Sequence, residues 1–88
     1  MFSLKNKKAV ITGGGSGIGK AISILFAKQG AEVHIIDLTE EATLSTVEEI
    51  MASGDIVFIH TCNVANQKDV VEIFEEIGDL HILVNNAG

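Results

Sequence analysis

The sequence lacks several residue types, and each absence narrows what the protein can do. It contains no arginine, no proline, no tryptophan and no tyrosine, and Cys62 is its only cysteine. A single cysteine excludes an internal disulfide and fits a reducing compartment. Without tyrosine, no phenol in these residues can act as an acid or base. Without arginine, the usual side-chain partner of an extra phosphate group is missing.

Long apolar runs are missing as well. No run approaches the ~20 residues that a membrane-spanning helix needs, and residues 1–8 lack the apolar core of a signal peptide. The net charge of −6 argues against nucleic acid as a partner. A chain of 88 residues is one domain at most. We therefore expect one cytoplasmic domain that binds neither membrane nor nucleic acid.

Short apolar runs, rich in β-branched residues, alternate with helical periodicities along the chain. The runs predict four strands, at Lys8–Thr12, 31–37, 56–62 and 81–85. The helical periods between them predict three helices, at 18–29, 39–53 and 66–77, each followed by a glycine. This β-α-β-α-β-α-β order predicts a three-layer α/β/α fold whose parallel sheet has the partial strand order 3-2-1-4.

The apolar positions also predict which helix faces turn inward. In helix one they are Ile18, Ala21, Ile22, Leu25 and Phe26, with Lys20 on the exposed polar side. In helix two they are Ala42, Val47, Ile50 and Met51, and in helix three Val70, Ile73, Phe74 and Ile77. Helices one and two are expected on one face of the sheet and helix three on the other. Strand four is then an uncovered apolar edge.

A glycine-rich loop, TGGGSGIG at 12–19, joins strand one to helix one. Such a loop before a helix attracts phosphate, because the first helical amides are free and glycine lets a ligand approach the backbone. One interpretation is the P-loop pattern G-x-x-x-x-G-K-[ST], which Gly14, Gly19 and Lys20 match. Ala21 then stands where a hydroxyl should hold magnesium, so the match is incomplete.

The other interpretation is a Rossmann-type dinucleotide site. Gly13 supplies the turn, Gly17 the close approach to phosphate, and Gly19 the packing of the helix on the strand. Asp37 follows Gly19 by 18 residues, at the end of strand two. A carboxylate there can accept hydrogen bonds from the adenosine ribose and repels a 2′-phosphate. This set favours a dinucleotide, and NAD(H) over NADP(H).

The spacing T-G-x-x-x-G-x-G, together with Asn85-Asn86-Ala87-Gly88 at the end of strand four, resembles the short-chain dehydrogenase/reductase family over the whole chain. The resemblance implies that residues 1–88 are the N-terminal part of a single NAD(P)-binding Rossmann domain. It implies an NAD-dependent oxidoreductase that transfers hydride between nicotinamide and a small alcohol or carbonyl substrate. It also implies a homodimer or homotetramer.

The family motifs carry site roles to particular positions. Ser16 and Gly17 would lie against the pyrophosphate, and Ile18 would help to begin the helix. Asn63 and Val64 would face the adenine, although the family more often has aspartate in place of Asn63. The turn at 85–88 would steady the sheet beside the ribose, through Asn85, Ala87 and Gly88. Family members that use NADP tend to carry a basic residue at the position of Ser16 or Leu38, and neither is basic here.

The chemistry is a separate matter from cofactor binding. The family's catalytic Y-x-x-x-K cannot occur in a chain without tyrosine, so no catalytic residue is assigned and residues 1–88 alone should be inactive. A non-catalytic NAD sensor on the same fold remains an alternative. His34, His60 and Cys62 lie on neighbouring strands but lack the spacing of metal ligands. No metal is expected.

Overall fold

Strand β1 is the centre of the structure, because its side chains are buried on both faces of the sheet. Ala9, Val10 and Ile11 have no exposed surface, as the apolar run at this position predicts. The computed structural model describes residues 3–86. Its strands are β1 (Lys8–Thr12), β2 (Glu32–Asp37), β3 (Val57–Thr61) and β4 (Ile82–Asn85). They form one parallel sheet in the order β3-β2-β1-β4, which confirms the predicted α/β class and strand order.

Three helices cover the two faces of the sheet as expected. They are α1 (Gly17–Lys28), α2 (Leu44–Ala52) and α3 (Gln67–Ile77). Ile11, Val33 and Ile35 form one apolar cluster, into which Ala27 of α1 and Ile50 of α2 also pack. Val10 and Ile36 point to the opposite face and pack with Ile77 of α3. Successive strand residues thus supply two separate cores.

Ile22 and Phe26 of α1 are partly buried and pack against the core, as predicted, whereas Ala21 is exposed. The fully buried stripe of the helix differs from the predicted one. It consists of Gly19, Ser23 and Ala27, whereas Ile18 is 71 % exposed and Leu25 is 51 % exposed. Small residues at intervals of four bring the helix backbone close to the sheet. The Ser23 hydroxyl is satisfied by the Gly19 carbonyl at 2.8 Å. Larger apolar side chains therefore flank the contact instead of forming it.

The second helix begins later than predicted. A 3₁₀ turn at Glu41–Thr43 precedes α2, because the polar residues at the start are used in local turns. Thr39 Oγ1 accepts from the Ala42 amide at 3.2 Å. The buried residues are Thr43, Thr46 and Ile50. The predicted inward positions Ala42 and Met51 are exposed. Hydropathy predicts Ile50 correctly but misses Thr43 and Thr46, because threonine counts as polar although its hydroxyl can be satisfied by a nearby carbonyl, as both are here.

Helix α3 agrees more closely with the sequence. Asn66 caps it, and the Asn66 side-chain oxygen accepts from the Asp69 amide at 3.3 Å. Its inward side chains include Ile73, Phe74 and Ile77, as predicted. Within residues 3–86, no helix is long and apolar enough to cross a membrane.

Strand β4 forms one end of the sheet within the part of the chain that the structure describes. It pairs with β1 alone there, and Leu83 is 53 % exposed on the α3 side. The predicted apolar edge is therefore present. Such an edge offers unpaired backbone groups and apolar surface to another segment or another chain.

A polar chain of side chains lies on the α3 face of β2 and β3. His34 Nε2 lies 2.6 Å from Glu32 Oε2, and His34 Nδ1 lies 2.9 Å from His60 Nε2. Phe58 stacks on His34 with ring centroids 4.8 Å apart. Burial, and then the neighbouring His34, lower the pKa of His60, while Glu76 opposes the shift.

We predict that acidification destabilises the fold through His60. Because the folded-state pKa of His60 is lowered, its contribution to stability is present above the unfolded pKa. That contribution is lost as pH falls through the folded pKa. The free energy of unfolding, measured by urea titration from about pH 8 to about pH 5, should fall more steeply in the wild type than in His60→Gln. Equal slopes for wild type and His60→Gln would contradict the assignment.

Candidate cofactor-binding site

The glycine loop leaves the carboxyl end of β1 and turns directly into α1. Gly13 has φ +68°, and its amide donates to the Ile36 carbonyl at 2.8 Å, which ties the turn to β2. Ser16 precedes the helix in an extended conformation, and its side chain makes no capping hydrogen bond. Ser16, Gly17 and Ile18 are exposed. The first amides of α1 have no intrahelical acceptor and so face solvent at the positive end of the helix dipole.

Gly19 is the position where helix and loop come closest. A Cβ at Gly19 would overlap the Gly13 carbonyl and lie 2.7 Å from the Asn86 side-chain nitrogen. Gly17 is different, because a Cβ there would meet nothing. The structure therefore assigns Gly19 to packing and leaves open space beside Gly17, as the dinucleotide interpretation expects.

The turn after β4 is bonded to the start of the glycine loop. Asn86 Nδ2 donates to the Gly13 carbonyl at 3.1 Å, and the Asn86 amide donates to Thr12 Oγ1 at 2.9 Å. Thr12 Oγ1 also lies 3.1 Å from Asn85 Oδ1. The sequence motifs contain Thr12 and Asn86, but of these three residues only Asn85 is predicted from the sequence as a site residue by itself. Ala87 and Gly88 lie outside the described residues.

Asp37 is built into the loop at the end of β2. Its Oδ2 accepts from the Gly15 amide at 3.0 Å, and its Oδ1 accepts from the Leu38 amide at 2.8 Å. The carboxylate is therefore held by backbone on two sides and is not a freely solvated strand-end acid. Each oxygen keeps a further lone pair, so Asp37 can still accept from a ligand hydroxyl.

Five of the predicted site residues line one cavity of about 170 Å³ beside the glycine loop: Gly13, Asp37, Leu38, Asn63 and Val64. Ile36 and Cys62 complete its lining. Asn63 Oδ1 already accepts from the Ala65 amide at 2.9 Å, which holds the side chain in a local turn. Burial, with a contribution from Asp69, raises the pKa of the Cys62 thiol. The cavity thus presents a carboxylate at one end and mainly apolar walls elsewhere.

Asn85 lines a second cavity of about 200 Å³, which shares Ile36 and Val64 with the first. A larger cavity of about 370 Å³ lies at the opposite, amino end of the strands, between charged residues of both signs such as Lys7 and Asp79. Ligands of open parallel sheets bind outside the carboxyl ends of the strands. We therefore place the functional site at the loop.

The Lys20 side chain contacts helix α2. Its Nζ lies 3.1 Å from Ser45 Oγ and 3.2 Å from Glu49 Oε1. It is therefore a partly buried link between α1 and α2, and its interpretation as a simply exposed lysine is wrong. A P-loop lysine must reach the phosphates, and this geometry does not suit that role.

The fold and the glycine loop are those expected of a Rossmann-type α/β protein. A family model described as short chain dehydrogenase matches residues 7–88. The chain is 44 % identical over 86 residues to D-xylose 1-dehydrogenase of Caulobacter vibrioides, covering 98 % of this chain and 35 % of that protein. The chain belongs to the short-chain dehydrogenase family.

Solved structures agree with this assignment. A 7α-hydroxysteroid dehydrogenase complexed with NADH and 7-oxo glycochenodeoxycholic acid is 37 % identical, with a TM-score of 0.89, and the match covers 99 % of this chain and 36 % of that one. An oxidoreductase from Haemophilus influenza with bound NAD is 30 % identical, again with a TM-score of 0.89, covering 98 % and 32 %. The chain spans about a third of the length of the curated relatives it matches.

We predict that Gly19→Ala destabilises the protein. The added methyl group would meet the Gly13 carbonyl, which cannot move without shifting the end of β1. Overpacking of this kind should lower the free energy of unfolding by about 1–3 kcal/mol. Denaturant titration would measure it. Ser16→Ala is the control at the same loop, and it should change stability by less than about 0.5 kcal/mol. Equal stabilities of the two variants would contradict the packing role of Gly19.

Proposed function

We propose that residues 1–88 are the NAD(H)-binding part of a dehydrogenase that transfers hydride between nicotinamide and a small alcohol or carbonyl substrate. The observation that carries the proposal is the position of Asp37. Its carboxylate is fixed against the glycine loop by the Gly15 and Leu38 amides, at the edge of the 170 Å³ cavity. A carboxylate at this place suits the two hydroxyls of an adenosine ribose.

The residues present fit a dinucleotide in each of its parts. The amides at Gly17 and Ile18, with the Ser16 hydroxyl, would hold the pyrophosphate at the positive end of α1. The open space beside Gly17 supports a close approach of phosphate to backbone. Leu38, Asn63 and Val64 would enclose the adenine. When bound, the nicotinamide supplies the hydride donor or acceptor. Asn85, Ala87 and Gly88 keep their expected place beside the ribose as a prediction.

Charge supports NAD(H) over NADP(H). A 2′-phosphate would lie against the Asp37 carboxylate and be repelled. The chain has no arginine to bind it. Lys20, the lysine of α1 nearest the loop in sequence, is paired with Ser45 and Glu49. Ser16 and Leu38 cannot supply a positive charge either.

We predict that the full protein binds NADH more tightly than NADPH. Asp37→Asn should reduce this difference, because it weakens the binding of NADH and strengthens the binding of NADPH. The amide weakens hydrogen bonding to the ribose and removes the repulsion of the 2′-phosphate. The selectivity ratio, defined as the dissociation constant for NADPH divided by that for NADH, should fall about ten-fold or more, since hydrogen bonds to a charged group contribute about 1.5–3 kcal/mol. Titration of cofactor fluorescence would measure both constants. Asp79→Asn, at the opposite end of the sheet, is the control. Tighter binding of NADPH by the wild type would overturn the preference.

In this proposal, the residues that carry out the hydride-transfer chemistry lie in a longer protein and not among residues 1–88. The matched relatives are about three times as long as these 88 residues, and no tyrosine is available here for acid–base chemistry. Oxidation of an alcohol by the full protein with NAD would support an oxidoreductase. Tight NADH binding without turnover of any alcohol or carbonyl compound would favour a binding module. The cytoplasmic location and the homo-oligomeric state stay predictions.

We predict that residues 1–88 produced alone self-associate. The free edge of β4 and the exposed Leu83 side chain offer backbone and apolar surface to a second molecule. Size-exclusion chromatography and light scattering should show oligomers or aggregates, which Leu83→Lys should reduce. A monomeric wild-type fragment with a cooperative unfolding transition would contradict the view that these residues are part of a larger domain.

A further inference from the structure

We propose that Thr46 of α2 is a positioning residue for the cofactor. It holds the peptide between Gly14 and Gly15 in the orientation that lets Asp37 present its carboxylate to the ribose. This inference rests on the proposed NAD(H) site. It adds Thr46 of the second helix to a site that so far consists of the glycine loop and the acid at the end of β2.

The geometry places one peptide group between two side chains. Thr46 has no exposed surface, and its hydroxyl donates to the Gly14 carbonyl at 3.0 Å. The amide of the same peptide, that of Gly15, donates to Asp37 Oδ2 at 3.0 Å. Carbonyl and amide of a trans peptide point in opposite directions. Thr46 and Asp37 therefore hold this peptide from opposite sides, and each bond constrains the other.

This peptide needs such support because it lies between two glycines. Glycine backbones rotate more freely than those of other residues, so the dihedral angles of Gly14 and Gly15 contribute little to fixing the orientation of the peptide between them. Turning it would leave the Gly14 carbonyl facing the Asp37 carboxylate, which is repulsive. Asp37 would then lose its Gly15 bond and rotate. The Thr46 hydroxyl opposes this rotation of the peptide, because it satisfies the buried Gly14 carbonyl in its present orientation.

Helix α2 is itself fixed relative to the loop. Lys20 of α1 contacts Ser45 and Glu49 of α2, and the two residues flank Thr46 along the helix. A Cβ at Gly15 would overlap the Ala42 carbonyl, so the turn before α2 packs directly on the loop. These contacts hold α2, and with it Thr46, against the loop.

Thr43 provides a matched control within the same segment. It is as fully buried as Thr46, but its hydroxyl donates to the Glu40 carbonyl at 2.6 Å, inside its own turn. Both threonines can be replaced by valine, which keeps the shape and removes the hydroxyl. A difference in cofactor binding between the two variants then reports on the bond to the loop.

The experiment compares Thr46→Val and Thr43→Val in the full protein by titrating NADH and NADPH and by thermal unfolding. Thr46→Val should raise the dissociation constant for NADH about ten-fold. It should change that for NADPH much less, because NADPH gains little from Asp37. The dissociation constant for NADPH divided by that for NADH therefore falls. Thr43→Val should leave this ratio at its wild-type value, and Thr46→Ser should bring the ratio most of the way back to that value.

Several results would overturn the proposal. If Thr46→Val weakens both cofactors equally, or if both valine variants change the ratio alike, Thr46 acts on stability alone. If Thr46→Val does not fold, Thr46→Cys, with a weaker donor of similar size, takes its place and must lower the ratio part of the way. A wild type that does not bind NADH defeats the proposed function. A wild type that binds and discriminates, with an unchanged ratio in Thr46→Val, defeats only the role of Thr46.

Discussion

The close contact between Gly19 and the Gly13 carbonyl is the constraint on which the rest of the structure depends. It brings the first turn of α1 against the end of β1 with no side chain between them. The remainder of the helix must then also approach the sheet closely, and Ser23 and Ala27 make that possible. The same contact leaves the Gly13 carbonyl facing Asn86, whose side chain bonds it. One missing methyl group thus sets the depth of the helix, the path of the loop and the place of the turn after β4.

The sequence predicts the sheet and its order well, because buried parallel strands are short apolar runs that hydropathy detects directly. The positions of Gly13, Gly19 and Asp37 are also predictable, since backbone conformation and ligand chemistry allow few other residues there. Helix faces are less predictable. Apolarity favours Ile18 and Leu25 of α1, yet close packing selects Gly19 and Ser23 instead.

Polar side chains that act inside the structure are the part that the sequence conceals. Thr46 is wholly buried, and its hydroxyl is satisfied by the Gly14 carbonyl, which only the fold brings within reach. Asn86 stands beside the predicted Asn85, and nothing in the spacing distinguishes which of the two reaches the loop. Lys20 matches a phosphate-binding position in one pattern, and only the neighbouring helix shows that its charge is used elsewhere. Partners across elements decide these roles, and a local motif does not record them.

The orientation of the Asp37 carboxylate is set largely by backbone amides. Both carboxylate oxygens accept from amides, one from the glycine loop and one from the next residue of its own strand end. These bonds orient the negative charge in the absence of a ligand, so the cofactor proposed above would meet a carboxylate that is already in place. The orientation then depends on whatever holds the loop amide in place. The loop is packed at Gly19, bonded by Asn86 at the Gly13 carbonyl and bonded by Thr46 at the Gly14 carbonyl. Residues of α1, of α2 and of the turn after β4 therefore act together on the position of the Asp37 carboxylate.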